Sequence, residues 1–86
     1  MSQGNLSYNL LLDVKGLSCP MPLVKAKQEV NKVSSGMVIK VIATDKGSLK
    51  DFQGWANVDK SIELVHQATE KDQDGKEIYV HYIKKK

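Results

Sequence analysis

Both prolines of this 86-residue chain fall in one short segment, Gly16-Leu17-Ser18-Cys19-Pro20-Met21-Pro22. A proline has no N–H to give to a strand ladder or a helix interior. At a helix start that loss is harmless, because the first amides have no partner inside the helix and the proline ring presets the torsion angle. The segment therefore predicts a turn between Lys15 and Cys19 and then a helix start, with Cys19 at the cap, Pro20 the first helical residue and Pro22 the third. With two donors removed, the amides of Met21 and Leu23 are the ones expected to be free near the cap, at the positive end of the helix dipole.

The rest of the chain divides around that point. Residues 1–8 read as a polar lead-in, and 9–86 as one domain. Leu10, Leu12 and Val14 alternate with Leu11, Asp13 and Lys15, which predicts a first strand ended by Gly16. From Met21 to about Ser34, Leu23, Ala26, Val30 and Val33 recur at helical spacing, and Gly36 supplies the left-handed residue that closes such a helix. Met37, Ile39, Val41 and Ala43 share one face of a second strand that stops at Asp45. Ser48 and Asp51 have the spacing of a capping box, and Leu49, Phe52, Trp55 and Ala56 give a second helix its apolar face despite Gly54. Strands over about Ser61–Ala68 and Glu77–Lys84 flank Asp72-Gln73-Asp74-Gly75, a hairpin signal, so they are expected to pair antiparallel. The predicted fold is an α/β (α+β) two-layer sandwich in the order βαβαββ, with two helices on one face of a four-stranded sheet.

A chain of this length buries only about 60% of its unfolded surface, which leaves little room for a deep substrate cavity. Its one cysteine cannot form an internal disulfide, and Met1 to Asn9 lacks the pattern of a signal sequence, so the expected setting is the reducing cytoplasm. No apolar run approaches the roughly 20 residues that cross a bilayer. Thirteen lysines and no arginine against ten acidic residues give a net charge of +3, part of it in the run Lys84, Lys85, Lys86. A solvated lysine surface explains that excess better than nucleic-acid binding, which usually brings arginines or interleaved aromatics. A metal site is not expected either, since one cysteine and two histidines without ligand spacing do not supply three or four converging ligands. No cofactor is implied.

Cys19 carries the chemistry. A thiol at a helix start has its pKa lowered, which raises the nucleophilic thiolate fraction at neutral pH. Cys19 also stands between Ser18 and Pro20, off every apolar stripe, where a structural core cysteine would not be placed. The same field would favour an anionic persulfide or thiosulfonate on the sulfur.

The segment Asp13-x-x-Gly16-Leu17-x-Cys19-Pro20-x-Pro22, with Lys27 five residues on, resembles the signature of the TusA (SirA-like) sulfur-carrier family, whose Cys-Pro-x-Pro motif also opens the first helix. The likeness continues through Gly36, Thr44-Asp45, Asp51 and Trp55-Ala56, and covers about Leu10 to Ile83. It departs at Val58-Asp59-Lys60-Ser61, where many relatives have a Gly-His or similar pair. The resemblance implies the same βαβαββ fold and a protein that takes sulfane sulfur onto Cys19 as a persulfide and passes it on. Gly16, Pro20, Met21 and Pro22 would shape the surroundings of that thiol. It implies a cysteine desulfurase or rhodanese-like donor, and an acceptor in tRNA thiolation, cofactor biosynthesis or, through DsrE-like proteins, dissimilatory sulfur metabolism. Such a carrier acts as a protein co-substrate, a sulfurtransferase only in that it accepts and donates a group, and a monomer suits the need to expose its sulfur to successive partners.

Other residues have plainer uses. Lys25 and Lys27 lend positive potential near Cys19 or steer an acidic partner. Asp13 beside the turn has a structural role at least as readily as a catalytic one, Asp45 and Asp51 are capping groups, and Trp55 belongs to the core. His66 and His81 fall in the last two strands and are structural or surface residues. Met21, if the turn is exposed, is an apolar contact for a docking partner. Two rival functions use the same fold without sulfur chemistry: a regulatory binding module that uses the Gly16–Pro22 turn, and a nucleic-acid-binding domain.

Overall fold

A computed structural model describes residues 8–18 and 21–86. The elements are β1 (Leu10–Asp13), α1 (Met21–Val30), β2 (Val38–Ala43), α2 (Ser48–Val58), β3 (Ile62–Lys71) and β4 (Glu77–Lys85). The strands form one sheet in the order β1-β2-β4-β3. β1 runs parallel to β2, and β4 is antiparallel to both β2 and β3. Strands that run the same way need a long crossover between them, and α1 and α2 supply the two crossovers. The βαβαββ sandwich expected from periodicity is the fold of the chain.

Both helices pack on the same sheet face. Ala26 and Val30 of α1 and Phe52 and Trp55 of α2 join Ile39, Val41, Ala43, Ile62 and Ile83 of the sheet in one buried cluster. The alternation in β2 delivers this directly, since its residues 39, 41 and 43 are buried and those between are half-buried. β4 departs from alternation. Every residue from Ile78 to Ile83 is buried, because Ile78, Val80 and Tyr82 form a second cluster on the far face with Val38 and Ile42. On that face the Lys40 ammonium lies 5.3 Å from the Tyr8 ring and 5.8 Å from the Tyr82 ring, so a cation–π contact extends the apolar cluster.

Two local expectations are corrected. α1 ends at Val30 rather than near Ser34. The chain beyond it tightens through Lys32 N–H to Glu29 C=O at 3.0 Å and Val33 N–H to Val30 C=O at 3.4 Å. There β4 takes over, as Lys85 Nζ donates to the Val33 carbonyl at 2.9 Å and the Gly36 amide to the Lys85 carbonyl at 2.5 Å. Ser48 and Asp51 do not form a capping box. Gly47 is the cap residue of α2 and makes no side-chain capping bond. Ser48 is already helical and buried, its hydroxyl committed to His81 at 3.0 Å. Asp45 does serve the helix start, accepting the Gly47 amide at 3.0 Å.

Candidate functional site

Because β1 and β2 are parallel, the turn after β1 and the turn after β2 meet at the same edge of the sheet. The Val14 amide extends the pairing by one bond to Ile42 C=O at 2.8 Å. The chain then turns. Asp13 Oδ1 accepts the Lys15 amide at 3.0 Å, and its Oδ2 lies 3.7 Å from Lys15 Nζ, so Asp13 closes the turn. Gly16 takes a φ of +86°, where a side chain would be strained. Its amide donates to Thr44 Oγ1 at 2.9 Å, tying the turn to the end of β2. The Leu17 amide returns to Val14 C=O at 3.2 Å, and its side chain packs against the core.

On the helix side, the Met21 amide donates to Ser18 C=O at 2.8 Å. The expectation of a free Met21 amide is therefore corrected: the short turn from Ser18 uses that donor. Met21 is 41% exposed while Pro22 is buried, so the first turn of α1 points an apolar side chain outward and anchors itself with a proline ring. Cys19 and Pro20, and with them the expected cap and first helical position, lie outside the described residues. The flanks described on either side of Cys19 are tied down by Gly16 to Thr44 and by Met21 to Ser18.

The two lysines diverge. Both are exposed, but Lys27 lines a cleft between α1 and α2, where its charge helps hold the Asp59 carboxyl below its ordinary range, after the hydrogen bonds from Ser61 and Trp55. It lies six residues past Met21, about 9 Å along the helix axis. Sequence reasoning noticed Gly54 only as a weak spot in α2; its place in the lining of this cleft is legible only in the folded chain.

His81 is fully buried and stacks on Phe52, ring centroids 4.1 Å apart and planes within 6°. Gln67 Nε2 donates to Leu49 C=O at 3.0 Å, while its Oε1 accepts from Gln53 at 2.8 Å, so the amide orientation is settled and Gln67 donates to His81 Nδ1 at 3.0 Å. The proton of neutral His81 then sits on Nε2 and is given to Ser48 Oγ. Burial lowers its pKa to about 4. His81 is thus a hydrogen-bonded part of the core, as expected for a structural histidine. His66 is exposed on the far sheet face, 6.0 Å from the Tyr82 ring. Among the described residues no group of three or more His, Cys, Asp or Glu side chains could hold a metal ion, and no helix is long and apolar enough to cross a membrane.

The family model described as sulfurtransferase TusA matches residues 11–85, nearly the whole of this sheet and both helices. The chain belongs to the TusA family. It is 45% identical over 74 residues to a protein of Halobacterium salinarum, an alignment that covers 86% of this chain and 85% of that protein. Over 45 residues it is 56% identical to the sulfur carrier protein TusA of Allochromatium vinosum, covering 52% of this chain and 59% of that one. The crystal structure of a SirA-like protein from Desulfitobacterium hafniense superposes with a TM-score of 0.65 over 91% of this chain and all of its own, at 20% identity, a likeness of fold. TusA-family membership and the βαβαββ fold therefore agree with the sequence resemblance carried by Cys19-Pro20-x-Pro22.

Proposed function

We propose that this chain is a sulfur carrier that holds sulfane sulfur on Cys19. The observation that carries the reading is its membership of the TusA family, in which the matched Allochromatium relative is named a sulfur carrier. The anchored turn ahead of Cys19 and the exposed Met21 after it support the same reading, because a carrier must offer its thiol and its surroundings to other proteins.

In the proposed reaction the Cys19 thiolate attacks the terminal sulfur of a donor protein's persulfide. A new S–S bond forms on Cys19, the donor's own S–S bond breaks, and the donor cysteine leaves as a thiolate; no outside oxidant or reductant is consumed. The second transfer repeats the exchange with Cys19 as leaving group and an acceptor thiolate as nucleophile. A helix start favours the thiolate in both halves. The donor is a cysteine desulfurase or rhodanese-like protein, and the acceptor a DsrE-like or other relay protein, in tRNA thiolation, cofactor biosynthesis or sulfur oxidation. The carrier works as a cytoplasmic monomer, with residues 9–86 as its working domain and without direct nucleic-acid contact.

Intact mass tests this. After incubation with a desulfurase and cysteine, or with polysulfide, the chain is expected to gain the mass of one sulfur that a reductant removes, and Cys19→Ser to gain none. Absence of an adduct with every donor, or an equal adduct on Cys19→Ser, overturns the reading.

A further inference from the structure

A cleft of about 520 Å³ runs between α1 and α2. Leu23, Lys27 and Val30, spaced to share one face of α1, form one wall, and Gly54, Trp55 and Val58 contribute the other. Three features show that it is more than a packing defect. First, Gly54 stands inside α2, although glycine is the poorest helix former after proline. A Cβ built on Gly54 meets nothing within 4 Å and its φ is not in the left-handed region, so neither crowding nor backbone geometry requires glycine there. A larger side chain would stand in the cleft itself. Second, Val58 at the rim is 82% exposed, the most exposed large apolar side chain among the described residues.

Third, the charges of the cleft are unequally committed. Asp59 is occupied: Oδ2 accepts from Trp55 Nε1 at 3.1 Å, and Oδ1 from the Ser61 amide at 2.9 Å and the Ser61 hydroxyl at 2.6 Å. Lys85 Nζ is bound to the Val33 carbonyl. Lys27 makes no ion pair among the described residues. An incoming chain would therefore meet an apolar floor, an indole held in place by Asp59, and the Lys27 ammonium, which no ion pair engages among the described residues. The Leu23 end of the cleft lies two residues from exposed Met21 and four from Cys19 in the sequence.

We propose that this cleft is a docking groove for a sulfur-relay partner, filled by an extended segment of that protein whose apolar side chains lie on Leu23 and Trp55 and whose carboxylate pairs with Lys27. The proposal rests on the sulfur-carrier reading for the identity of the partner. The groove would then align the partner along α1, with the end of its segment beside the start of the helix. Gly54 keeps the floor low enough for that backbone to lie in it.

Trp55 is the only tryptophan of the chain, so the indole fluorescence comes from a residue that lines the groove. The probe is the capped peptide Glu-Leu-Glu-Leu-Glu, with Lys-Leu-Lys-Leu-Lys as its control, titrated into the full chain. The acidic peptide is expected to change Trp55 emission saturably, and the lysine peptide to leave it unchanged. Lys27→Glu and Gly54→Gln, each confirmed folded by its thermal melt, are expected to weaken the acidic peptide by about tenfold or more. No saturable response, an equal response to the lysine peptide, or undiminished affinity in both variants overturns the proposal. The titration needs no sulfur on Cys19, so its failure leaves the mass experiment on Cys19 to stand or fall separately.

Discussion

The Thr44 hydroxyl decides how the turn ahead of Cys19 meets the sheet. Its Oγ1 accepts the Gly16 amide from 28 residues away, joining the ends of two parallel strands. Thr44→Val keeps the side-chain shape but removes the acceptor, which is expected to cost about 1 kcal/mol in denaturant unfolding. Sulfur uptake in the mass experiment is expected to slow severalfold, while Thr44→Ser, which keeps the hydroxyl, restores both; equal uptake in the valine variant would show that the clamp does not position the thiol. Sequence reasoning saw Thr44-Asp45 only as part of a family pattern, since nothing local tells a threonine after a strand which amide it will accept. Ser48 teaches the same lesson in reverse. Its spacing to Asp51 reads as a capping box, yet the fold spends its hydroxyl on His81, 33 residues away. Local spacing proposes a partner, and a buried histidine that needs one takes priority.

At the scale of elements, most of what periodicity promised is present, and the misses fall at element ends, including β3, which runs to Lys71 rather than to about Ala68. α2 runs unbroken through Gly54 because Phe52 and Trp55 bury its apolar face, which outweighs one poor helix former. Gly54→Ala is expected to stabilise the chain by about 0.5–1 kcal/mol, read as a higher denaturant midpoint, because open space at that Cβ removes any steric penalty. A loss of stability there would mean that glycine serves the packing after all. α1 stops short of its apolar pattern because Lys85 and Gly36 bring β4 across its end. The hairpin behaves as its turn residues predict: Asp72 Oδ1 accepts the amides of Asp74 and Lys76, and Gly75 takes a φ of +80°. Such signals are readable because all their partners lie within a few residues.

Over the whole molecule, buried His81 links stability to pH. Its pKa falls from the ordinary 6.5 to about 4 on folding, so between those values the unfolded chain binds a proton that the folded chain refuses. Its contribution is complete above pH 6.5 and is lost as pH falls towards 4, by about 3 kcal/mol in all. Asp59, whose carboxyl is lowered by its bonds to Ser61 and Trp55, acts in the same direction, below its ordinary 3.8. Urea midpoints measured from pH 7 down to 4.5 are expected to drop steadily; a flat profile would mean that His81 keeps an ordinary pKa in the fold. That histidine, on the middle strand of three paired neighbours, also marks the division between local and global information. The sequence alone determined the six elements and their order, the turn at Gly16 and the helix start around Pro22, because periodicity, proline and glycine act through neighbouring residues. Only the tertiary structure decided that β4 is buried on both faces, that Ser48 and Gln67 hold His81, that Thr44 holds Gly16, and that α1 and α2 leave a cleft at Gly54. Those outcomes depend on which strand lies between which, and on side chains that meet only when residues far apart in the chain are packed into one core.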